Sequence, residues 1–498
     1  MPRTRASTAA LAALLAAALA ACGGGSSPDC SDRAVRVNVK QLVGTYYLFA
    51  DQVNLPAFDP VTTTLTAAEF LDAMVNSANG PDAGRGYSYL TTASASAQFF
   101  DEGTSLGFGI GLRFVGPEGQ PVDQVFVTQV FGDGMDPAEP KYALRSPAAR
   151  AGFQRGDEIV AVAPGTAPLP NPDNLQAGAR QVATLLAADP VNRSAFFAAL
   201  GSSVAGTVRD FRLKRALTGE IVDVQATAAT YWLDPVPRYL HPVVLTSPGG
   251  KQVGYLMLRA FINPASAALA TAVADLKAQG ITDLIIDLRY DGGGLLNVAS
   301  DLLDLLGGGR AGARQFSLEY NAQVATGFHP TYVFAPPATA ITPTRVAFIM
   351  GRGSASASEL LPFALAPHLG AEVALVGERS LGKPAGQNPF SEDGCPTLYV
   401  VLTFQLANRD ARAAYWDGLP DAAWTGSSCQ ALDDLSHPTG DANEDSTRVA
   451  LAWIDGGQGA CTPIPPFQPV ARQAAALTVP LAPQPEPSLA QRHIPDLY

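Results

Sequence analysis

Three times in the second half of the chain an apolar run stops in a cluster of glycines and small residues: ITDLIIDLRYDGGG, TRVAFIMGRGSASAS and AEVALVGERSLGKPAGQ. Short, near-continuous apolar runs bounded by glycine are the pattern of strands buried on both faces. Helical stretches lie between them: ASAALATAVADLKAQG, LLNVASDLLDLLGGG and the apolar run ELLPFALAPH. With KQVGYLMLRAF as a further strand, the alternation predicts an α/β unit with parallel strand pairs covered by helices. In such sheets ligand sites gather at the carboxyl ends of strands. All three glycine-rich exits fall at such ends.

One exit, GRGSASAS, offers Ser354, Ser356 and Ser358 at a strand-to-helix turn, where backbone N–H groups favour a developing oxyanion. A serine hydroxyl is a weak nucleophile and needs a base within reach. Ser358, beside Glu359 and the helical run, is the better capping residue. Ser356 is freer to face a cleft, and Ser354 is nearer the strand end. His368 is the nearest histidine in sequence, and nothing around it resembles a triad. Among the lysines, only Lys383 follows a buried strand and sits among glycines. Burial lowers a lysine's pKa and so makes a general base of it, the Ser–Lys variant of the triad. GERSLGK nearly matches a phosphate-binding loop, but Pro384 stands where a Mg²⁺-binding hydroxyl is required. SLGK matches the S-x-x-K of penicillin-binding enzymes, without their SDN and KTG companions.

Residues 106–230 have a different texture. LGFGIGLRFV is a glycine-rich turn entering a strand, and VDQVFVTQVF, TVRDFRLKR and EIVDVQATA are further strand-like runs. In SPAARAGFQRGDEIVAV, Ser146 can cap a helix begun by Pro147 and ended by Gly152, before GDEIVAV turns into a strand. This stretch resembles a PDZ domain of the circularly permuted bacterial kind. Such domains add a peptide strand to a sheet edge and hold its terminal carboxylate in a backbone loop. The resemblance puts that loop at Gly107, Phe108, Gly109, Ile110, Gly111 and Leu112.

A chain of 498 residues, 47% hydrophobic, has material for two or three domains, and a net charge of −12 without a basic block argues against nucleic acid as a partner. Residues 1–22, MPRTRASTAALAALLAAALAAC, read as a secretory signal, and the small residues before Cys22 resemble a lipoprotein signal box. Cys22 would then be lipidated and anchored in a membrane, with residues 23–30 as a tether. Gly23 in place of aspartate resembles the outer-membrane sorting pattern. The other cysteines, Cys30, Cys395, Cys429 and Cys461, suggest two disulfides with three possible connectivities. No metal motif is present. The acidic stretch 429–453 reads as a solvated face. Residues 31–100 read as a small helical region, and the proline-rich residues 462–498 as a poorly ordered or surface-draped tail.

Together, IIDLRYDGGGLL, GRGSASASELL and GERSLGKPAGQ resemble the signature stretches of the C-terminal processing (tail-specific) serine proteases, in the family's order. The resemblance covers about residues 100–410. It implies Ser356 as nucleophile, Lys383 as base and Gln387 as the residue that orients the lysine. The oxyanion hole would use the N–H of Ala357 and of Gly293 or Gly294. The family's usual DLRNNPGG is altered at Tyr290, Asp291 and Gly292.

The implied fold is α/β, a ClpP/crotonase-like core (240–461) with a mixed, largely parallel sheet. To it are added a β-rich PDZ-like domain (101–230) and a small helical N-terminal region. The implied activity is an envelope endopeptidase acting near the free C-termini of protein or peptide substrates, without a cofactor. The sequence leaves the oligomeric state open. The alternatives are a catalytically silent PDZ scaffold of the envelope and a non-peptidase hydrolase using the same dyad.

Overall fold

A computed structural model describes residues 28–116, 123–165, 175–188, 193–201, 204–237, 243–324, 328–466, 487–494 and 497–498. The signal segment and Cys22 lie outside the described residues.

The strands expected from the apolar runs form a six-stranded sheet in the order Ser427–Gln430, Val373–Gly377, Arg345–Met350, Asp283–Asp287, Gln252–Met257, Val243–Thr246. Every pair is parallel except the last. Successive residues point to opposite faces, as the strand period of two requires. Leu284, Ile286, Val346, Phe348 and Leu375 share a core with the helices Asn263–Ala278, Leu296–Leu305 and Ala357–Leu369. Ile285, Ala347, Ile349, Ala374 and Val376 pack instead on the helix Asp445–Gly456.

A second sheet carries Ala385–Ser391 on one side of the long strand Thr397–Asn408 and both Tyr89–Thr92 and Arg314–Tyr320 on the other, with Thr331–Val333 outside Arg314–Tyr320. The helices Asp32–Tyr46 and Ala67–Ser77 contribute to a core that also takes in Tyr399, Val401 and Leu402 of this sheet. The N-terminal region is therefore helical but also supplies the strand Tyr89–Thr92.

Residues 110–227 form a separate antiparallel five-stranded sheet: Ile110–Val115, Gln124–Val130, Glu158–Pro164, Val208–Lys214, Ile221–Thr227. Ser146 caps the short helix Pro147–Ala151, its Oγ accepting from the Ala149 N–H at 3.0 Å, and Gly152 ends it at φ +81°. The ribbon Thr104–Gly107 with Ala229–Trp232 carries the chain into and out of this unit.

Cys30 is bonded to Cys395 and Cys429 to Cys461. Among the described residues no helix is long and apolar enough to cross a membrane.

Two expectations are corrected. The acidic stretch is not only a solvated face: Glu444 is fully buried and Asp433 is largely enclosed, because Arg155 and Arg289 meet them there. The last part of the tail is not draped on the surface. Leu489, Ala490, Ile494 and Leu497 are buried in a core with Phe99, Phe131 and Tyr231. Residues 467–486 lie outside the described residues.

Candidate active site

Ser356 stands where the strand Arg345–Met350 gives way to the helix Ala357–Leu369. It is the residue immediately before that helix, and its backbone has φ +56° and ψ −116°. A left-handed φ at a non-glycine residue costs on the order of 1–3 kcal/mol and persists only where its surroundings hold it. The neighbouring serines provide that hold. Ser354, fully buried, donates its hydroxyl to the Leu288 carbonyl at 2.7 Å and accepts from the Gly351 N–H at 2.9 Å. Ser358, also fully buried, donates to the Asp291 carbonyl at 2.8 Å. Ser358 thus lies inside the first turn, and the position at the helix start belongs to Ser356.

Glu359 organises the site. Its carboxylate is fully buried at the first turn of the helix. Oε2 accepts the N–H of Ser356 at 2.9 Å and that of Lys383 at 2.8 Å. Oε1 accepts the Gly382 N–H at 2.8 Å and the Ser380 hydroxyl. One side chain therefore fixes both the serine turn and the lysine loop that follows the strand Val373–Gly377. Burial pushes its pKa up, and these four donors work in the opposite direction.

Lys383 is buried, with its Nζ 4.9 Å from the centre of the Tyr87 ring. Desolvation brings its pKa down to about 8, the Glu359 charge opposes that fall, and Arg492 adds to it. Among the described residues its Nζ takes no hydrogen bond. Gln387, expected to orient it, instead donates from Nε2 to the Tyr87 carbonyl at 2.9 Å. The strand Ala385–Ser391 has a register irregularity between Gly386 and Gln387, and such breaks re-aim a side chain. Gln387 therefore reaches the backbone of Tyr87, whose ring lies against the lysine amine.

The loop after the strand Asp283–Asp287 closes the other side. Gly293 and Gly294 adopt φ +103° and +146°. A Cβ on Gly293 would lie 2.8 Å from the Ser356 Cβ and 3.0 Å from the Ala357 nitrogen. Gly293, Ser356 and Ala357 are thus in direct contact. The Gly293 N–H, however, is bound to Asp291 Oδ1 at 2.8 Å, and the Gly292 N–H donates to the His493 carbonyl at 2.8 Å. Asp291 is fully buried, with its carboxyl pushed well above the usual range by desolvation. The Gly293 N–H works in the opposite direction, favouring the charged form.

Beneath this loop lies an ionic cluster that the sequence did not reveal. Arg289 pairs with Asp287, Asp433 and Glu444, all three at 3.1 Å or less. Arg155, from the five-stranded unit, pairs with Asp433 at 2.8 Å and donates to the Tyr290 hydroxyl. Tyr290 also donates to Asp433 at 2.8 Å. The Arg155 and Arg289 charges hold the Asp433 carboxyl well below the ordinary carboxylate range against its burial. The five-stranded unit is thereby joined to the residue next to Asp291.

In the expected peptide-binding loop, Phe108, Ile110 and Leu112 point into the core of the five-stranded unit. Gly109 has φ +72°, and a Cβ there would lie 2.3 Å from the Ser146 Cβ. The loop is thus packed closely against the helix start at Ser146.

A serine at a strained helix start, tied through one carboxylate to a desolvated lysine, is a constellation able to activate a hydroxyl for acyl transfer. Residues 252–412 match the family model Peptidase family S41. The chain is 28% identical over 268 residues to carboxyl-terminal-processing peptidase 3, chloroplastic, of Arabidopsis thaliana, covering 53% of this chain and 45% of the relative. It is 31% identical over 158 residues to the carboxyl-terminal-processing protease of Synechocystis sp., covering 31% and 34%. The chain thus spans less than half the length of these curated relatives. A Bacteroides fragilis crystal structure carrying an S41 protease label superposes with a TM-score of 0.58 at 17% identity, over 87% of this chain and 99% of that one. That likeness is one of fold.

Proposed function

We propose that the chain is an exported serine endopeptidase that cuts peptide bonds near the C-terminal ends of proteins. Ser356 is its nucleophile and Lys383 its general base. The observation that carries this is the Glu359 carboxylate, which holds the backbone of both residues from one oxygen. The names of the carboxyl-terminal-processing relatives support the substrate class.

In the reaction, neutral Lys383 takes the proton of the Ser356 hydroxyl as the oxygen adds to the scissile carbonyl. The resulting oxyanion is met by the Ala357 N–H and the glycine loop at 292–294. Lys383 then returns the proton to the leaving amine, and an acyl-enzyme remains on Ser356. Water, deprotonated by Lys383, attacks the ester; Ser356 recovers its proton and the acid is released. A lysine with a pKa near 8 has a substantial neutral fraction at neutral pH, whereas an unperturbed one does not. The five-stranded unit acts as a PDZ-like module that captures the chain end and raises the local concentration of the scissile segment. Cys22, as a lipidation site, would tether the enzyme at the outer membrane facing the periplasm.

The test is degradation of an unfolded reporter with an apolar C-terminus by protein lacking residues 1–22. Unaltered protein should degrade it. Ser356→Ala and Lys383→Ala should lose turnover by at least a thousandfold while keeping their melting temperatures. Ser354→Ala should keep measurable turnover. Undiminished cleavage by Lys383→Ala would remove the dyad.

A further inference from the structure

The strand Ile110–Val115 is the edge of its sheet, paired on one side with Gln124–Val130. Its other side is occupied by this same chain. The Ile110 N–H donates to the Tyr498 carbonyl at 2.8 Å, and the Tyr498 N–H donates to the Ile110 carbonyl at 2.8 Å. Gly111 and Leu497 face each other as an antiparallel bridge. Leu497 is buried, and the Tyr498 ring stacks on Phe197 with centroids 4.7 Å apart and planes 14° from parallel.

The same segment also enters the catalytic cleft. Ser488 and Gln491 form a reciprocal cap that starts the short helix Leu489–His493. The His493 carbonyl accepts the Gly292 N–H at 2.8 Å. The His493 ring stacks on Phe99, and the Arg492 guanidinium lies 4.3 Å from the centre of the Tyr89 ring. The Lys383 charge is among the causes that hold His493 neutral, so the segment lies close to the base.

A strand added to a sheet edge is the way such grooves take a ligand. A carbonyl on an N–H of the glycine loop stands where a substrate carbonyl would be polarised. We propose that residues 488–494 and 497–498 are an intramolecular occupant of both places. A substrate must displace them, and the groove favours segments with an aromatic residue opposite Ile110. The identity of the competitor as a substrate rests on the peptidase reading; the occupancy does not. Because the occupant is tethered, its effective concentration reaches the millimolar range, so a free peptide of the same sequence competes poorly with it.

The test is binding in the Ser356→Ala background, which does not depend on turnover. A fluorescein-labelled peptide, SLAQRHIPDLY, is titrated by anisotropy against the full chain and against its Tyr498→Ala and Leu497→Asp variants. Both variants should bind the peptide at least tenfold more tightly than the unaltered chain. Equal affinity in all three, or binding by none, overturns the proposal. Tyr498 is only partly buried, so that variant decides alone if Leu497→Asp melts early. A peptide ending in alanine in place of tyrosine should bind Tyr498→Ala protein at least tenfold more weakly; equal binding removes the aromatic preference. With Ser356 restored, reporter hydrolysis separates the two ideas. Tighter peptide binding by the variants with no hydrolysis by any form keeps the occupant and removes the peptidase reading. Hydrolysis by all forms with equal peptide binding does the reverse.

Discussion

Ser356 and Lys383 hang by their backbone N–H groups from the same atom, Oε2 of Glu359, at 2.9 and 2.8 Å. The two residues come from the exits of neighbouring parallel strands, whose loops are also joined by the Leu381 N–H donating to the Ser354 carbonyl at 2.9 Å. Within that frame one buried carboxylate ties the two catalytic positions to each other.

Glu359→Gln tests that dependence. The carboxylate serves four donors, and an amide in its place presents N–H₂ to two of them. Buried donors left without acceptors should lower stability by about 2–4 kcal/mol. Turnover should fall further than the melting temperature implies, at least a hundredfold under conditions where the variant is fully folded. Thermal melts and steady-state kinetics on one preparation read both.

The pH profile follows from the state of Lys383. The base works when neutral, so kcat/KM should rise with pH through an inflection near the lysine's lowered pKa of about 8 and level off above it. Glu359's charge holds that pKa up, so removing it by Glu359→Gln should move the inflection to lower pH. A pH–rate profile of each protein checks the sign.

Asp291 offers a contrast between shape and charge. Burial pushes its carboxyl up, against the charged form, and Oδ1 accepts from the Gly293 N–H. Asn keeps that acceptor without a charge, so Asp291→Asn should retain stability within about 1 kcal/mol and most of the activity. Asp291→Leu removes the acceptor that fixes the glycine loop through Gly293, so the loop loses its shape and kcat should fall at least tenfold. Melting curves and kcat for the pair make the comparison.

Arg155 joins the five-stranded unit to the core. Arg155→Ala takes one cation from Asp433, which keeps Arg289 and Arg113, so the loss should be about 1.5–3 kcal/mol. Because Arg155 and Asp433 pair with each other, the double variant Arg155→Ala, Asp433→Ala should cost less than the sum of the two singles. Chemical denaturation of the four proteins measures the coupling.

The parallel sheet was legible because buried strands and their glycine exits are local signals. The three strand ends that meet at the site were legible for the same reason. The capping role assigned to Ser358 failed because local pattern does not say which serine turns the backbone to positive φ; contacts of Ser354 and Ser358 with residues more than sixty positions away decide it. Glu359 was read only as a neighbour of a helix start, since its reach into the Lys383 loop is a tertiary contact. The tail was misjudged on its proline content, although Ser488 with Gln491 three residues on is a helix-start signal that could have been read. The buried charges of the acidic stretch were hidden because Arg155 and Arg289, their partners, are far off in sequence.

The bond between Cys30 and Cys395 has a topological consequence. It turns everything between those residues into one covalent ring that contains Ser356, Lys383 and the whole five-stranded unit. A single cut anywhere in that ring linearises the molecule without releasing a fragment. The parts that pack together stay on one covalent molecule, and only reduction of the bond lets the two pieces part.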